Sequence, residues 1–156
     1  MSNELQDVAG MRVPPPLLYA GTLAVGLLLH RFFPRSVLPR RATRVVSGAL
    51  FGVSLLFGPP AVLAMRRALT ALSPDAPTTA IVDRGPFRYS CNPIYVSFTL
   101  IYAGIATFVN ALWPLVLLPG VLLLIHRQVV DREEPYLERV FGAEYLRYKG
   151  RVRRWI

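Results

Sequence analysis

Along the chain, long uncharged apolar blocks alternate with short stretches that hold nearly all the charge. The first block runs from Val13 to Leu29, 17 residues without a charge, and opens with Pro14, Pro15 and Pro16. Proline is tolerated in a helix's first turn, where amide hydrogens have no intrahelical partner, so this block predicts a helix entered through its prolines. The second block runs from Val45 to Met65, 21 uncharged residues interrupted by Gly58-Pro59-Pro60. Both approach the ~20 residues needed to cross a ~30 Å hydrocarbon core. The proline pair removes backbone donors and is predicted to kink or break the second helix. A third stretch, from Tyr89 to Ile125, carries no charge over 37 residues, too many for one crossing and just short of two full-length ones. It reads as a tight hairpin of two short helices, about Pro93–Val109 and Ala111–Ile125, with Asn110 and Trp113-Pro114 marking the turn. Trp113 belongs at the membrane interface. The tail from Arg127 to Ile156 is polar. Helical spacing puts Val129, Val130, Leu137, Val140 and Phe141 on one face, Gly142 suits a helix stop, and a second short helix follows through Glu144–Lys149.

These patterns predict an all-α integral membrane bundle forming one domain over residues 1–156. It has about four transmembrane helices, two of them N-terminal (residues 13–65), and C-terminal amphipathic cytosolic helices. Composition sharpens the picture. Hydrophobic residues make up 53% of the chain and charged residues 17%, against about 25% charged in an ordinary soluble domain, which excludes a disordered chain. Acidic Glu4 and Asp7 precede the first block, and no small-residue cleavage site precedes the arginines that follow it, which argues against a signal peptide. Lone Cys91 excludes an intrachain disulfide, and with only His30 and His126 beside it no metal centre is expected.

The formal charge of +9 comes from 18 Lys+Arg against 9 Asp+Glu. A chain this basic and this apolar points to anionic lipid head groups as partners and not to nucleic acid. With four crossings, the N-terminus, the loop 66–88 (which includes a Pro/Ser/Thr stretch from Ser73 to Thr79) and the tail share one side. That side carries thirteen Lys/Arg against five in the loop between the first two helices, so the positive-inside rule places it in the cytoplasm. Arginine-rich, lysine-poor usage fits a bacterial chain, hence an inner (plasma) membrane location.

Two polar clusters could carry chemistry. In Asp83–Tyr95, Gly85-Pro86 marks a turn and Pro93 opens a helix, so Asn92 is expected to cap it with its side chain; the helix start also suits an anionic or polar ligand group. The tail is dense in Glu, Arg and Tyr, a composition that an interfacial helix with a solvated charged face also explains. The predicted topology brings both clusters to one side of the membrane, where a ligand fits between a polar wall and an apolar flank.

In order along the chain stand Gly85-Pro86-Phe87-Arg88-Tyr89, then Asn92-Pro93-Ile94-Tyr95, then Glu133-Glu134-x-x-Leu137-x-x-x-Phe141-Gly142-x-Glu144-Tyr145-x-x-Tyr148, then Val152-Arg153-Arg154-Trp155. Over residues 81–156 this set resembles the isoprenylcysteine carboxyl methyltransferase and phospholipid methyltransferase superfamily of membrane enzymes. The resemblance implies S-adenosylmethionine as methyl donor, S-adenosylhomocysteine as product, and a lipophilic acceptor. It implies a cofactor site formed by Arg88, Tyr89, Asn92, Pro93, Tyr95, His126, Glu133, Glu134 and Tyr145, with Asn92, Glu133 and Arg154 in the catalytic roles. The residue types suit that chemistry. Carboxylates take ammonium and ribose hydroxyls, arginine or helix-start amides take a carboxylate, and tyrosines can wall an adenine or a sulfonium. Three positions depart from the family pattern: Asn92 stands where many members have His, Cys91 where a basic residue is common, and Ser97 where Gly is common. Asn92 can bond to a cofactor but cannot serve as a base at neutral pH. The competing reading is a non-catalytic membrane scaffold or lipid-binding protein that keeps the methyltransferase fold. A transporter fares worst, because the apolar blocks hold no ionisable midplane group.

Overall fold

The computed structural model describes residues 13–70 and 78–155, and among them it contains helices and no strand. Acidic Glu4 and Asp7, and most of the stretch Ser73–Thr79, lie outside the described residues. Helix α1 spans Pro15–Phe32, α2 Arg40–Arg67, α3 Pro93–Phe108 and α4 Leu112–Ile125. A π-helical segment, His126–Val130, carries α4 without a break into α5, Asp131–Phe141, and α6 follows over Ala143–Arg151. A single 3-10 turn, Gly85–Arg88, precedes α3.

The helices begin where proline allows. Pro15 and Pro16 sit in the first turn of α1, and Pro93 opens α3. The predicted hairpin is present nearly residue for residue. Its turn is set by Asn110, which adopts φ 59°, a left-handed conformation that asparagine tolerates better than most residues. The Asn110 side chain also latches the turn to the α1–α2 loop. Its Oδ1 accepts from the amides of Val37 (2.9 Å) and Leu38 (3.0 Å), and its Nδ2 donates to Leu38 O at 2.8 Å. Trp113 Nε1 donates to Phe33 O at 2.6 Å. The α1–α2 loop and the hairpin turn therefore share one end of the bundle, leaving the start of α3 and the tail at the other.

Packing is pairwise, α2 against α3 and α1 against α4, with α3 and α4 joined in the hairpin and almost no contact between α1 and α2. Small residues let the pairs close. A methyl group on Gly26 would lie 2.7 Å from the Pro114 backbone, and one on Gly104 would lie 2.8 Å from the Phe51 ring. In the core, the Tyr19 ring packs on Phe98 and Tyr102 at centroid distances of 5.8 and 6.3 Å. Their hydroxyls are satisfied: Tyr19 pairs with Thr99 Oγ1 at 2.9 Å, and Tyr102 donates to Pro114 O at 3.0 Å. The opposite faces are greasy and exposed, with Leu17, Leu28, Leu55, Leu56 and Leu123 all at least half accessible. Apolar surface of that extent suits lipid and not water. Among the described residues, two helices are long and apolar enough to cross a membrane, Arg40–Arg67 and the continuous Leu112–Phe141; α3 is apolar but shorter. Within the latter the apolar part is α4. From Asp131 onward the chain turns polar and charged.

Two expectations are corrected. The break expected at Pro59-Pro60 is absent, and α2 is one helix through both prolines. The prolines take the helical donors from the Leu55 and Leu56 carbonyls, and the extensive packing of α2 along α3 holds the helix together around them. Ser97 Oγ donates to Ser54 O at 3.1 Å, in a contact so close that Gly58 has no room for a Cβ beside it. Ser97 thus serves the helix interface and lies away from the cavity described below. In the tail, Val129 and Val130 are buried as expected, but Val140 is 43% exposed and the buried positions of α5 are Glu134 and Tyr136. A cavity, and not a closed apolar core, faces this helix, so polar side chains take the inner positions. Gly142 ends α5 at φ 52°, ψ −125°, a backbone conformation open essentially to glycine.

Candidate functional site

The tail folds back onto the segment before α3 through backbone and side-chain hydrogen bonds. The Cys91 amide donates to Arg153 O at 2.9 Å, Asn92 Nδ2 to Arg154 O at 2.8 Å, and Tyr148 Oη to Phe87 O at 2.8 Å. The side chain of Asn92 is committed to the tail and does not cap α3. This corrects its expected capping role, and the first-turn amide of Ile94 is left without that cap. Between the two segments lies a cavity of about 500 Å³, within the range that holds a cofactor-sized ligand.

Of the residues proposed from sequence, Asn92, Pro93, Tyr95, Glu133, Glu134 and Tyr145 line this cavity. Four do not. The 3-10 turn carries Arg88 and Tyr89 outward, where both are exposed. Arg154 and His126 stand behind the wall, with Arg154 Nη1 3.3 Å from His126 Nε2. His126 Nε2 also lies 3.6 Å from Asp131 Oδ1.

The two adjacent glutamates have different surroundings. Glu134 is clamped by cations: Arg154 reaches it twice, Nε to Oε1 at 2.6 Å and Nη2 to Oε2 at 2.8 Å, and Lys149 Nζ lies 2.7 Å from Oε2. Lys149 also bridges to Glu138 at 2.8 Å. Such a bidentate, cation-shared carboxylate is spent on holding structure. Glu133 has no cation within ion-pair distance among the described residues. Its Oε1 accepts from the Tyr95 hydroxyl at 3.4 Å. Burial, opposed by that hydrogen bond, pushes its carboxyl up to about 7 from the ordinary 4.5. Burial likewise raises the Cys91 thiol and the Tyr145 and Tyr148 phenols, so all three stay protonated at neutral pH. Among the described lining residues, Glu133 and Glu134 are the ionisable carboxylates, and no Lys, Arg or His joins them.

The rest of the wall is mostly apolar and comes largely from parts of the chain to which the sequence reading assigned no chemistry. Pro14–Pro16 at the head of α1, Val62 and Met65 near the end of α2, and Phe98 on α3 line one flank. The N-terminal blocks hold no motif, and nothing in their hydropathy distinguishes a lipid-facing position from a cavity-facing one. Tyr136 and Tyr148 also line the cavity. Tyr148 belonged to the quoted motif, and its pairing with Tyr145 (ring centroids 6.2 Å apart) is the kind of i, i+3 spacing that signals a shared face.

An uncharacterized protein of Haemophilus influenzae is 54% identical to this chain over 35 residues, 22% of the chain and 56% of that protein. The chain therefore spans little more than half the length of this relative. A model of the phospholipid methyltransferase family matches residues 42–144, well over half the chain and including the start of α3, the hairpin and the paired glutamates. The chain belongs to the phospholipid methyltransferase family, a group of membrane methyltransferases.

Proposed function

We propose that the protein transfers a methyl group from S-adenosylmethionine to a lipidic or small hydrophobic acceptor at the cytoplasmic face of a bacterial inner membrane. The observation that supports this most is the cavity's division of labour: a polar end holding a carboxylate with no cation partner among the described residues, Glu133, meets an apolar flank built from α1, α2 and α3. The donor is a cation at both its amine and its sulfonium, and the Glu133 carboxylate is a suitable counter-charge for it. Ile94, at the first turn of α3, offers a backbone amide to a carboxylate, and Tyr95 and Tyr145 offer aromatic faces.

The bound donor supplies an electrophilic methyl group whose leaving group departs neutral and needs no acid. The chain then has three tasks. The clamp of Glu134 by Arg154 and Lys149, with the bond from Asn92 to Arg154 O, holds the tail against α3 and fixes the cavity's shape; Asn92 and Arg154 act here as positioning residues. The apolar flank excludes water and orients the acceptor, and in-line positioning of this kind supplies most of the rate acceleration available without acid catalysis. Glu133, with its carboxyl titrating near neutrality, is suited to take the proton of a protic acceptor.

The same reading has α1, α2, α3 and α4 all crossing the membrane and the tail in the cytoplasm, as charge counting suggests. Incubating the purified protein with isotopically methyl-labelled donor and a total lipid extract tests the proposal. Label is expected in the organic phase, dependent on the protein and suppressed by S-adenosylhomocysteine. A protein that binds S-adenosylhomocysteine but labels nothing favours the scaffold reading.

A further inference from the structure

Beside the cavity lies a second, open crevice of about 600 Å³ with the opposite electrostatics. Arg84, which precedes the 3-10 turn, Arg88, which ends it, and Arg151 at the end of α6 line it, with Asp83 as its carboxylate. All three arginines are exposed, and none forms an ion pair among the described residues. Arg147, one helical turn before Arg151, lines a neighbouring recess with Asp83 and Glu144. Tyr148 is shared: its side chain is a wall of the cavity, the crevice and that recess alike. Apolar groups stand exposed next to the cations, Tyr89 beside Arg88 at 69% and Leu146 beside Arg147 at 55%. Exposed Tyr and Leu interleaved with arginine, adjoining an apolar helix, is the pattern of a surface that lies against lipid head groups.

We propose that this crevice binds the phosphate of an acidic membrane phospholipid through Arg84, Arg88 and Arg151. Guanidinium groups match phosphate with two parallel hydrogen bonds and are more weakly hydrated than ammonium. Among its described lining residues, three of them facing one carboxylate leave the crevice net positive. The neighbouring cavity has Glu133 and the cation-clamped Glu134 in its lining and no Lys, Arg or His among its described lining residues, so it offers a phosphate no guanidinium where the crevice offers three. The lipid's chains would then run along exposed Tyr89. The inference rests on the membrane-embedded fold and not on methyl transfer, so either can fail without the other.

The test is a titration of the purified full-length protein in a neutral detergent with a fluorescent phosphatidylglycerol, phosphatidylcholine and inorganic phosphate serving as competitors. Saturable binding is expected, displaced by unlabelled phosphatidylglycerol and little by the other two. Arg88→Gln/Arg151→Gln should bind about tenfold more weakly, while Arg40→Gln/Arg41→Gln, changed at the opposite end of the bundle, should bind as the parent does. Should the first double variant lose its cooperative thermal transition, Arg84→Gln alone carries the comparison. Equal displacement by phosphatidylcholine, or undiminished binding by variants that retain the parent's thermal transition, would overturn the proposal. Displacement by inorganic phosphate as effective as by the acidic lipid would overturn it in favour of a soluble anion.

Discussion

Glu133→Gln is expected to weaken S-adenosylhomocysteine binding at least about tenfold while leaving the fold no less stable at neutral pH. Glutamine keeps the shape and can still accept from Tyr95, but it removes the counter-charge to the ligand's amine, and charge-assisted hydrogen bonds contribute about 1.5–3 kcal/mol. Stability moves the other way because the carboxyl is raised to about 7 in the folded chain from 4.5. Between those values the folded state binds more protons than the unfolded one, so stability falls as pH rises through that window. The loss is on the order of 3 kcal/mol and is complete above pH ~7. Melting temperature in detergent should therefore drop from pH 5 to pH 8 in the parent more steeply than in Glu133→Gln. Ligand affinity should rise over the same range in the parent alone, as Glu133 ionises. Parallel pH profiles in the two proteins would remove Glu133 from the site.

Arg154→Ala should produce the opposite signature, a loss of stability first and of binding as its consequence. It takes both guanidinium contacts from a carboxylate that is only 12% exposed and leaves Glu134 with Lys149 as its remaining cation. Arg154 is itself 39% exposed, which moderates the cost, so about 1–3 kcal/mol is expected. Arg41→Ala, at an exposed position in the first turn of α2, should cost little. Pairing Arg154→Ala with Glu134→Gln should cost less than the sum of the two changes, because the second removes the charge that the first strands. An Arg154→Ala protein that melts with the parent would mean the clamp does not hold the tail.

How well the sequence could be read followed the range of the forces involved. The hairpin boundaries and the helix starts at Pro15 and Pro93 were legible because they obey local rules about proline and turn asparagine. The unbroken course of α2 through Pro59-Pro60 was not, since it goes with packing along α3, a helix more than thirty residues away. At Asn92 the local rule of helix capping gave way to a distant partner, the Arg154 carbonyl, which takes the side-chain amide. The paired glutamates look equivalent in sequence. Only their tertiary neighbours separate them, Arg154 and Lys149 for Glu134 and Tyr95 for Glu133. Arg88 and Tyr89 sit in the motif yet point away from the cavity, because a single tight turn decides which way they face.

Photo-crosslinking with methyl-labelled S-adenosylmethionine, followed by peptide mapping, tests most directly whether the pre-hairpin segment and the tail enclose one nucleoside. The label is expected on peptides from both residues 91–98 and residues 130–148, and to vanish with excess S-adenosylhomocysteine. Label confined to the α1–α2 loop or to the hairpin turn, at the far end of the bundle, would contradict it.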